Sequence, residues 1–388
     1  MQFTDFKKLD LDRLPSPCFV VDEIAVERNL RILHDVQSRS GAKVLAALKA
    51  FSMPDLAPLV SQYLSGTCAS GLHEARLGRQ FYDGEVATYC AAYKEVDLPE
   101  VIELSDHLIF NSPAQKDRFL PLVRQTGKKL HIGLRINPEH SEGVVEKYDP
   151  CAPHSRLGTP VSQLDAKAME NVDGLHMHTL CEQGFEPLQR TWNAVRPRIE
   201  AFLPGLKWIN FGGGHHITRT DYDREALVAF IREIRKQTGL DVYLEPGEAV
   251  ALDAGILIGE VLDLPTNGMN LLITDLSATC HMPDVIEAPY RPELMDESDD
   301  GETYRIGFDA TTNEYYSDRT NAGKKDFSSV FAHATHTAPR MEKGNTIQFH
   351  CFFDVASAEV FADNGVTVLT DIYFPNEDFT NMKIFKEN

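Results

Sequence analysis

The stretch LKWINFGGGHHITRTDYDREALVAFIREIRKQTGLDVYLEPGEAV, residues 206–250, holds one full period of the rhythm that runs through most of the chain. LKWINFGGG reads as a strand brought to a stop by three glycines, and DVYLEPGEAV as a second strand. Between them Asp221, an N-cap type of residue, stands ahead of the helix-forming run REALVAFIREIRK. Strand, helix, strand is the signature of parallel pairing, because a helix carries the chain back to start the next strand in the same direction.

The same alternation extends upstream. SPCFVVD (16–22) reads as a short strand, followed by a helical segment from Glu23 to about Arg39 with apolar residues at Ile24, Leu30 and Leu33. Strand-like runs then recur at 43–49, 67–70, 86–92, 107–112, 129–137, 172–180, 206–214 and 241–250, with helical segments between them. One of those helices is opened by Ser112-Pro113. Eight such runs predict a closed (β/α)8 barrel of the TIM type. The one long interruption, residues 138–161, carries four prolines and two glycines, and loops of that length are often functional. From about Ala251 the rhythm changes to strands alone: ILIGEVLDL, NLLITDLSA, TYRIGFD, YYSDRT, FSSVFAHATHT, TIQFHCFFDV and EVFADNGVTVLTDIYF, the last containing a D-N-G hairpin turn. The tail is expected to be all-β, with a domain boundary near 251.

A chain of 388 residues has room for two domains or for a large barrel with an appendage. Its 38 basic against 58 acidic side chains argue against nucleic acid or an anionic membrane as partner. The balance suits a soluble protein that handles cations, although an acidic surface also serves solubility alone. The acidic run from Glu293 to Glu302 reads as a solvated loop. Seven cysteines without a C-x-x-C pair point to reduced thiols. The charged start MQFTDFKKLDLDRL has no apolar signal core, and no apolar run approaches the ~20 residues that span a bilayer. A cytoplasmic location is expected.

In such a barrel the active site lies at the C-terminal ends of the strands. Lys49 ends the first barrel strand in LAALKAFS; apolar surroundings would depress its pKa and make it a nucleophilic, imine-forming amine, though a lysine there is often structural. His176 and His178 lie two apart and point to the same side of a strand, which permits a metal site, a histidine stacked on a flat cofactor, or a hydrogen-bonded core histidine. Gly212, Gly213 and Gly214 let backbone N–H groups ring an anion such as phosphate, or serve a tight turn. Glu245 ends the eighth strand, where a buried carboxylate must find a cationic or proton-bearing partner. An amine, a flat imidazole, an anion cradle and a carboxylate for a ring nitrogen together match what pyridoxal phosphate requires. A metal-dependent hydrolase built on His176, His178, His215 and His216 is the rival reading, and its H-x-H pair would more usually stand on the first strand than the sixth.

Residues from roughly 10 to 305 resemble the fold-type-III pyridoxal-phosphate decarboxylases, specifically the carboxynorspermidine/carboxyspermidine decarboxylases. The motifs are LAALKAFS, CASGLHEARLG, LIFNSPAQ, LRINPE, YDPCAPHSRLG, HMHTLCEQ, FGGGHHIT, YLEPGEAV and TCHMPDVIEAPYRPE, in order over about three quarters of the chain. The resemblance implies that Lys49 carries the cofactor as an imine, that His178 stacks on the pyridine face, and that Gly212 to Gly214 hold the phosphate. It also implies that Glu245 keeps the ring nitrogen protonated and that Arg156, in HSRLG, is an anion partner near the cofactor. Related amino-acid decarboxylases have an arginine after EPG; here it is Glu248, which suits the cationic arm of a carboxylated polyamine. Asp284 in CHMPD resembles a second acid on the substrate side.

After GETYRIG the resemblance implies a cysteine-loop-acid segment reaching the partner subunit's site, and a later tyrosine-bearing strand near the cofactor phosphate. Neither follows; Cys351 leads into FFD. Residues from about 307 to 388 instead resemble the end of the C-terminal β-sandwich of fructan-cleaving glycoside hydrolases (levanases, inulinases, invertases), on FDATTNEYYSDRTNAG, FSSVFAHATHTAPR and FFDVASAEVFADNGVTVLTDIYFPN. That family's catalytic acids belong to a propeller domain, so the match brings no chemistry. The expected division is therefore an N-terminal strand segment (1–22), a cofactor-binding barrel (23–250), a partial decarboxylase β-domain (251–305) and a sandwich-like fragment (306–388). The expected activity is pyridoxal-phosphate-dependent decarboxylation of carboxynorspermidine or carboxyspermidine. The family's homodimer is expected to be weakened by the altered tail, and a barrel that binds the cofactor without turnover is the alternative.

Overall fold

The computed structural model describes residues 6–143, 146–269, 271–287, 290–292, 302–325, 327, 328, 330–376, 379 and 382. Of the run Glu293 to Glu302 read as a solvated loop, residues 293–301 lie outside the described residues. The chain divides into two compact units, Met1–Ser277 and Ala278–Asn388.

The first unit starts with β1 (Cys18–Val21) and α1 (Glu23–Ser40). The eight barrel strands are β2 (Lys43–Ala47), β3 (Gly66–Ala69), β4 (Glu85–Tyr89), β5 (His107–Phe110), β6 (His131–Asn137), β7 (Gly174–His176), β8 (Trp208–Asn210) and β9 (Asp241–Leu244). All pair in parallel, and β9 closes on β2 through Tyr243↔Lys43 and Leu244↔Val44, so the barrel is complete as expected. The strands are nearly continuous apolar runs because both faces are covered: helices pack outside and side chains fill the inside. Inside, Leu45, Ala87, Ile109, Trp208 and Tyr243 form the floor. Trp208 fits only because Gly174 faces it; a Cβ there would lie 2.0 Å from the indole. No helix among the described residues is long and apolar enough to cross a membrane.

The helices between the strands include α2 (Ala57–Tyr63), α3 (Leu72–Phe81), α4 (Leu98–Leu104), α5 (Pro113–Thr126), α6 (Phe185–Ile199) and α7 (Arg224–Thr238). Their limits are chemical. Asp22, Ser112 and Asp223 accept N-cap hydrogen bonds at α1, α5 and α7, and Gly41, Gly127 and Gly239 end the same three in the left-handed conformation. The cap of α7 is thus Asp223 rather than Asp221, whose carboxylate is paired with Arg219. The observed strands are shorter than the apolar runs suggested. The last residues of each run, including Lys49, His178, the glycine triplet and Glu245, sit in the turns just beyond the ladder. The short α8 (Glu248–Ala251) follows β9, and β10 (Gly255–Ile258) pairs antiparallel with β1.

The second unit opens with two short helices, Ala278–His281 and Pro283–Glu287, a departure from the all-strand reading of the tail. Two antiparallel three-stranded sheets follow: β11 (Thr303–Asp309), β12 (Glu314–Asn321) and β13 (His336–Pro339), then β14 (Phe349–Asp354), β15 (Ser357–Ala362) and β16 (Thr367–Ile372). Among the described residues of FSSVFAHATHT only the end is strand. The D-N-G turn joins β15 to β16, with Asp363, Asn364 and Gly365 all at positive φ, a conformation these residue types tolerate. Tyr315, Val360, Ala362 and Leu369 form this unit's main core.

Candidate active site

At the C-terminal mouth of the barrel a cavity is lined by residues from strands far apart in sequence, among them Lys49, Tyr89, Arg135, His176, His178 and Glu245. Three of the sequence-predicted residues, Lys49, His178 and Glu245, therefore meet in one place. Lys49 follows β2 and is exposed rather than enclosed by apolar groups, contrary to the surroundings expected for it.

Glu245 is buried, and each of its oxygens is engaged: Oε2 by His176 Nε2 at 3.1 Å and Oε1 by the Asn210 amide at 2.7 Å. Burial pushes this carboxyl up, but the hydrogen bonds from His176 and the Asn210 amide, with the nearby Lys49 ammonium, outweigh it and hold it below its ordinary value. Burial is also the main reason that His176 lies below its usual range, so the pair is a neutral imidazole donating to an ionised carboxylate. A carboxylate has about four lone-pair sites, so two accepted bonds leave Glu245 able to accept from a ring N–H.

His178 sits two residues past His176. Its Nδ1 accepts from Gly213 N–H at 3.0 Å, and the Arg135 guanidinium donates to its carbonyl at 3.2 Å. Burial, with the Lys49 and Arg135 charges, drives its pKa well below the usual value, so it presents a neutral, flat face. The glycine triplet is more constrained than a simple anion cradle. Gly212 N–H donates to Asn210 Oδ1 at 2.8 Å and Gly213 N–H to His178, leaving Gly214 as the one N–H not engaged in this way. Gly214, at φ +78°, runs so close to the loop after β7 that a Cβ would lie 2.0 Å from the Leu180 carbonyl.

The other expected residues lie outside the cavity lining. Arg156 is exposed, its carbonyl held by Asn111 Nδ2 at 2.9 Å; the arginine that lines the cavity is Arg135, in the LRINPE segment. Glu248 is half exposed at the start of α8 and accepts from His216 Nε2 at 2.9 Å. Asp284 belongs to the second unit, exposed and accepting from the Tyr290 hydroxyl at 2.6 Å. His176, His178, His215 and His216 each take a different partner, and among the described residues no group of three His, Cys, Asp or Glu could hold a metal ion. Sequence reasoning missed Tyr89, Arg135 and Asn210. The available signal was Asn210, a polar residue ending an otherwise apolar barrel strand; no local pattern marks Tyr89 or Arg135.

The donor set fits pyridoxal phosphate at its ring end: a mouth-side amine, a neutral imidazole face and an ionised buried carboxylate with accepting capacity to spare. At the phosphate end the fit rests on a narrower backbone than the triplet alone suggests.

The carboxynorspermidine/carboxyspermidine decarboxylase of Campylobacter jejuni is 37% identical over 284 residues, 73% of this chain and 73% of that protein. A carboxyaminopropylagmatine decarboxylase of Synechocystis sp. is 37% identical over 302 residues, covering 76% and 78%. The crystal structure of carboxynorspermidine decarboxylase complexed with norspermidine from Campylobacter jejuni superposes with a TM-score of 0.65 at 34% identity, over 78% of this chain and 79% of that one. Residues 293–388 match the family described as glycosyl hydrolases family 32 C terminal, in agreement with the tail resemblance.

Proposed function

The chain belongs to the family of the carboxynorspermidine/carboxyspermidine decarboxylases, and from that premise we propose that it uses pyridoxal phosphate to decarboxylate a carboxylated polyamine, forming norspermidine or spermidine. The carrying observation is the convergence of Lys49, His178 and an ionised, buried Glu245 on one cavity. Pyridoxal phosphate, when bound, supplies an electron sink for the carbon that loses carbon dioxide.

Each residue has a task that follows from its state in the fold. Lys49 would hold the cofactor covalently through its amine. His178, neutral and fixed by Gly213, would lie against the ring without competing for its charge. Glu245 would keep a proton on the ring nitrogen, and His176 and Asn210 hold that carboxylate still and ionised. Gly214 N–H, with neighbouring backbone, would meet the phosphate. On the substrate side Glu248 would attract the ammonium groups of the polyamine arm, with His216 orienting its carboxylate.

The test is carbon dioxide release from carboxynorspermidine by the purified chain, with and without added cofactor. No release from the wild-type chain, and none restored by the cofactor, would overturn the reading. A second reading, that the cofactor is held but turnover is slow, is favoured by one observation. The relative's match covers 73% of its own length, and residues 293–388 match another family. A homodimer completed across subunits would then lack part of each site.

A further inference from the structure

We propose that Tyr89 is a positioning residue for this reaction: its ring fixes the plane of His176, and through it the hydrogen bond that His176 makes to Glu245. The role rests on the reading of Glu245 as the ring-nitrogen carboxylate, but the geometry behind it does not.

An imidazole that must hold a carboxylate is usually fixed by a hydrogen bond at its other nitrogen, which sets both tautomer and ring rotation. His176 has no such bond. Its Nδ1 is buried and has no hydrogen-bond partner among the described residues, while Nε2 faces Glu245. Rotation about the Cβ–Cγ bond is therefore unopposed by hydrogen bonding on that side of the ring. What occupies the face of the ring is Tyr89, stacked with centroids 5.4 Å apart and planes 24° apart. On Tyr89 lies the Arg135 guanidinium, 4.4 Å from the ring centroid. The three groups, from β4, β6 and β7, form a layered stack at the barrel mouth. A ring turned out of the stack would lose the aromatic contact and point its Nε2–H away from Glu245.

Tyr89 is itself pinned. Its hydroxyl donates to Asn111 Oδ1 at 2.7 Å. The same oxygen accepts from Gly158 N–H at 2.7 Å, and Asn111 Nδ2 donates to the Arg156 carbonyl at 2.9 Å. The seat of Tyr89 is thus shared with residues 156–158 of the long loop between β6 and β7. Seating of that loop and the plane of His176 are linked through two side chains, Asn111 and Tyr89. The cation beside the stack also disfavours a second positive charge on His176, which agrees with the direction of its pKa.

The experiment uses the full chain labelled with 15N-histidine, first without cofactor and then loaded. Long-range 1H–15N correlation in the unloaded protein should show His176 as a single Nε2–H tautomer. In Tyr89→Leu a mixture of tautomers should appear, kcat should fall about 100-fold, the cost of a small misplacement at a reacting centre, and KM should change little. Tyr89→Phe, which keeps the ring, should restore the single tautomer and most of kcat. Tyr89→Met, similar in volume but without a flat face, replaces the leucine variant if that one does not fold. An unchanged His176 spectrum in a folded leucine or methionine variant overturns the proposal. Equal losses in the phenylalanine and leucine variants overturn it too, since the hydroxyl and not the ring would then be what matters. Tautomer mixing in a chain that releases no carbon dioxide supports the positioning role while removing the decarboxylase reading.

Discussion

Gly213 N–H donates to His178 Nδ1 at 3.0 Å, so the imidazole at the cavity carries its proton on Nε2. A backbone amide thereby sets the tautomer of a side chain thirty-five residues earlier, and the loop after β8 and the segment after β7 act as one piece. Gly213→Ala would drive a Cβ to 2.3 Å from the Glu245 carbonyl. The expected result is a loss of about 1–3 kcal/mol of stability from overpacking, with weaker cofactor affinity than the parent, measured by urea unfolding and cofactor titration. Unaltered stability and affinity would show that the loop yields freely.

Lys49 should be the residue that retains the cofactor. Borohydride treatment of the loaded chain followed by peptide mass spectrometry should find the added pyridoxyl mass on Lys49. Lys49→Ala should lose the visible absorbance band and at least about 10³-fold in rate, the scale of removing a covalent participant. Recovery of unmodified Lys49 at saturating cofactor would refute the assignment.

Stability should fall in mild acid. Burial holds His176 and His178 below the ordinary imidazole value and pushes His215 to about 4. Each folded pKa is depressed, so the unfolded chain binds protons first as pH falls. The stabilisation is complete above about pH 6.5 and is withdrawn on the way down toward the folded value. For His215 alone the loss between about pH 7.5 and pH 5 is about 2 kcal/mol. Glu245, also depressed, adds a loss of the same sign at lower pH. Urea midpoints compared across that range test it; a midpoint independent of pH would contradict the burial of these imidazoles.

Glu248 is proposed to read the polyamine arm. Glu248→Gln should lower kcat/KM for carboxynorspermidine about tenfold, the value of one charge-assisted bond at a half-exposed site. Most of the effect should appear in KM, and the parent should discriminate strongly against diaminopimelate. Equal turnover of the two substrates by the parent would remove the role of this carboxylate in selection.

The match of residues 293–388 to another family leads to a further kinetic expectation. If the family's sites are completed across a dimer, the chain should sediment as a weak dimer or monomer and turn over several powers of ten more slowly than an unmodified relative, because positioning groups are missing. Sedimentation with carbon dioxide release on the same sample decides this. A tight dimer with turnover near the relative's would overturn this expectation.

The barrel was legible because strands covered on both faces must be apolar along their length, and eight such runs with helices between them have few other solutions. Their ends were not legible. His178 and Gly212 continue an apolar-looking stretch although the ladder stops at His176 and Asn210. Helix starts were read within two residues: at α7 the reading took Asp221 as the cap, and the structure has Asp223, whose carboxylate accepts from Ala226 N–H. Lys49, His178 and Glu245 could be picked because each is polar at the end of a core strand. Tyr89 and Arg135 could not, since their importance is a stack among β4, β6 and β7 that no local pattern encodes. The short helices at 278–287 fall between the expected strand runs NLLITDLSA and TYRIGFD, in a segment that the all-strand reading of the tail left without an element.

The closure of β9 on β2 joins residues about two hundred positions apart, and β1 waits still longer for β10. During synthesis the barrel has no closing partner until residue 244 has cleared the ribosome, and its first strands must remain open for that whole interval. The second unit emerges only afterwards, when the barrel's last strand is already available. A nascent chain stalled before β9 would expose the unpaired edges of β2 and β8 and the floor around Trp208 to chaperones, whereas one stalled in the tail would already hold a closed barrel. Arrest points placed on either side of Leu244, followed by protease digestion of the ribosome-bound chain, would locate that transition.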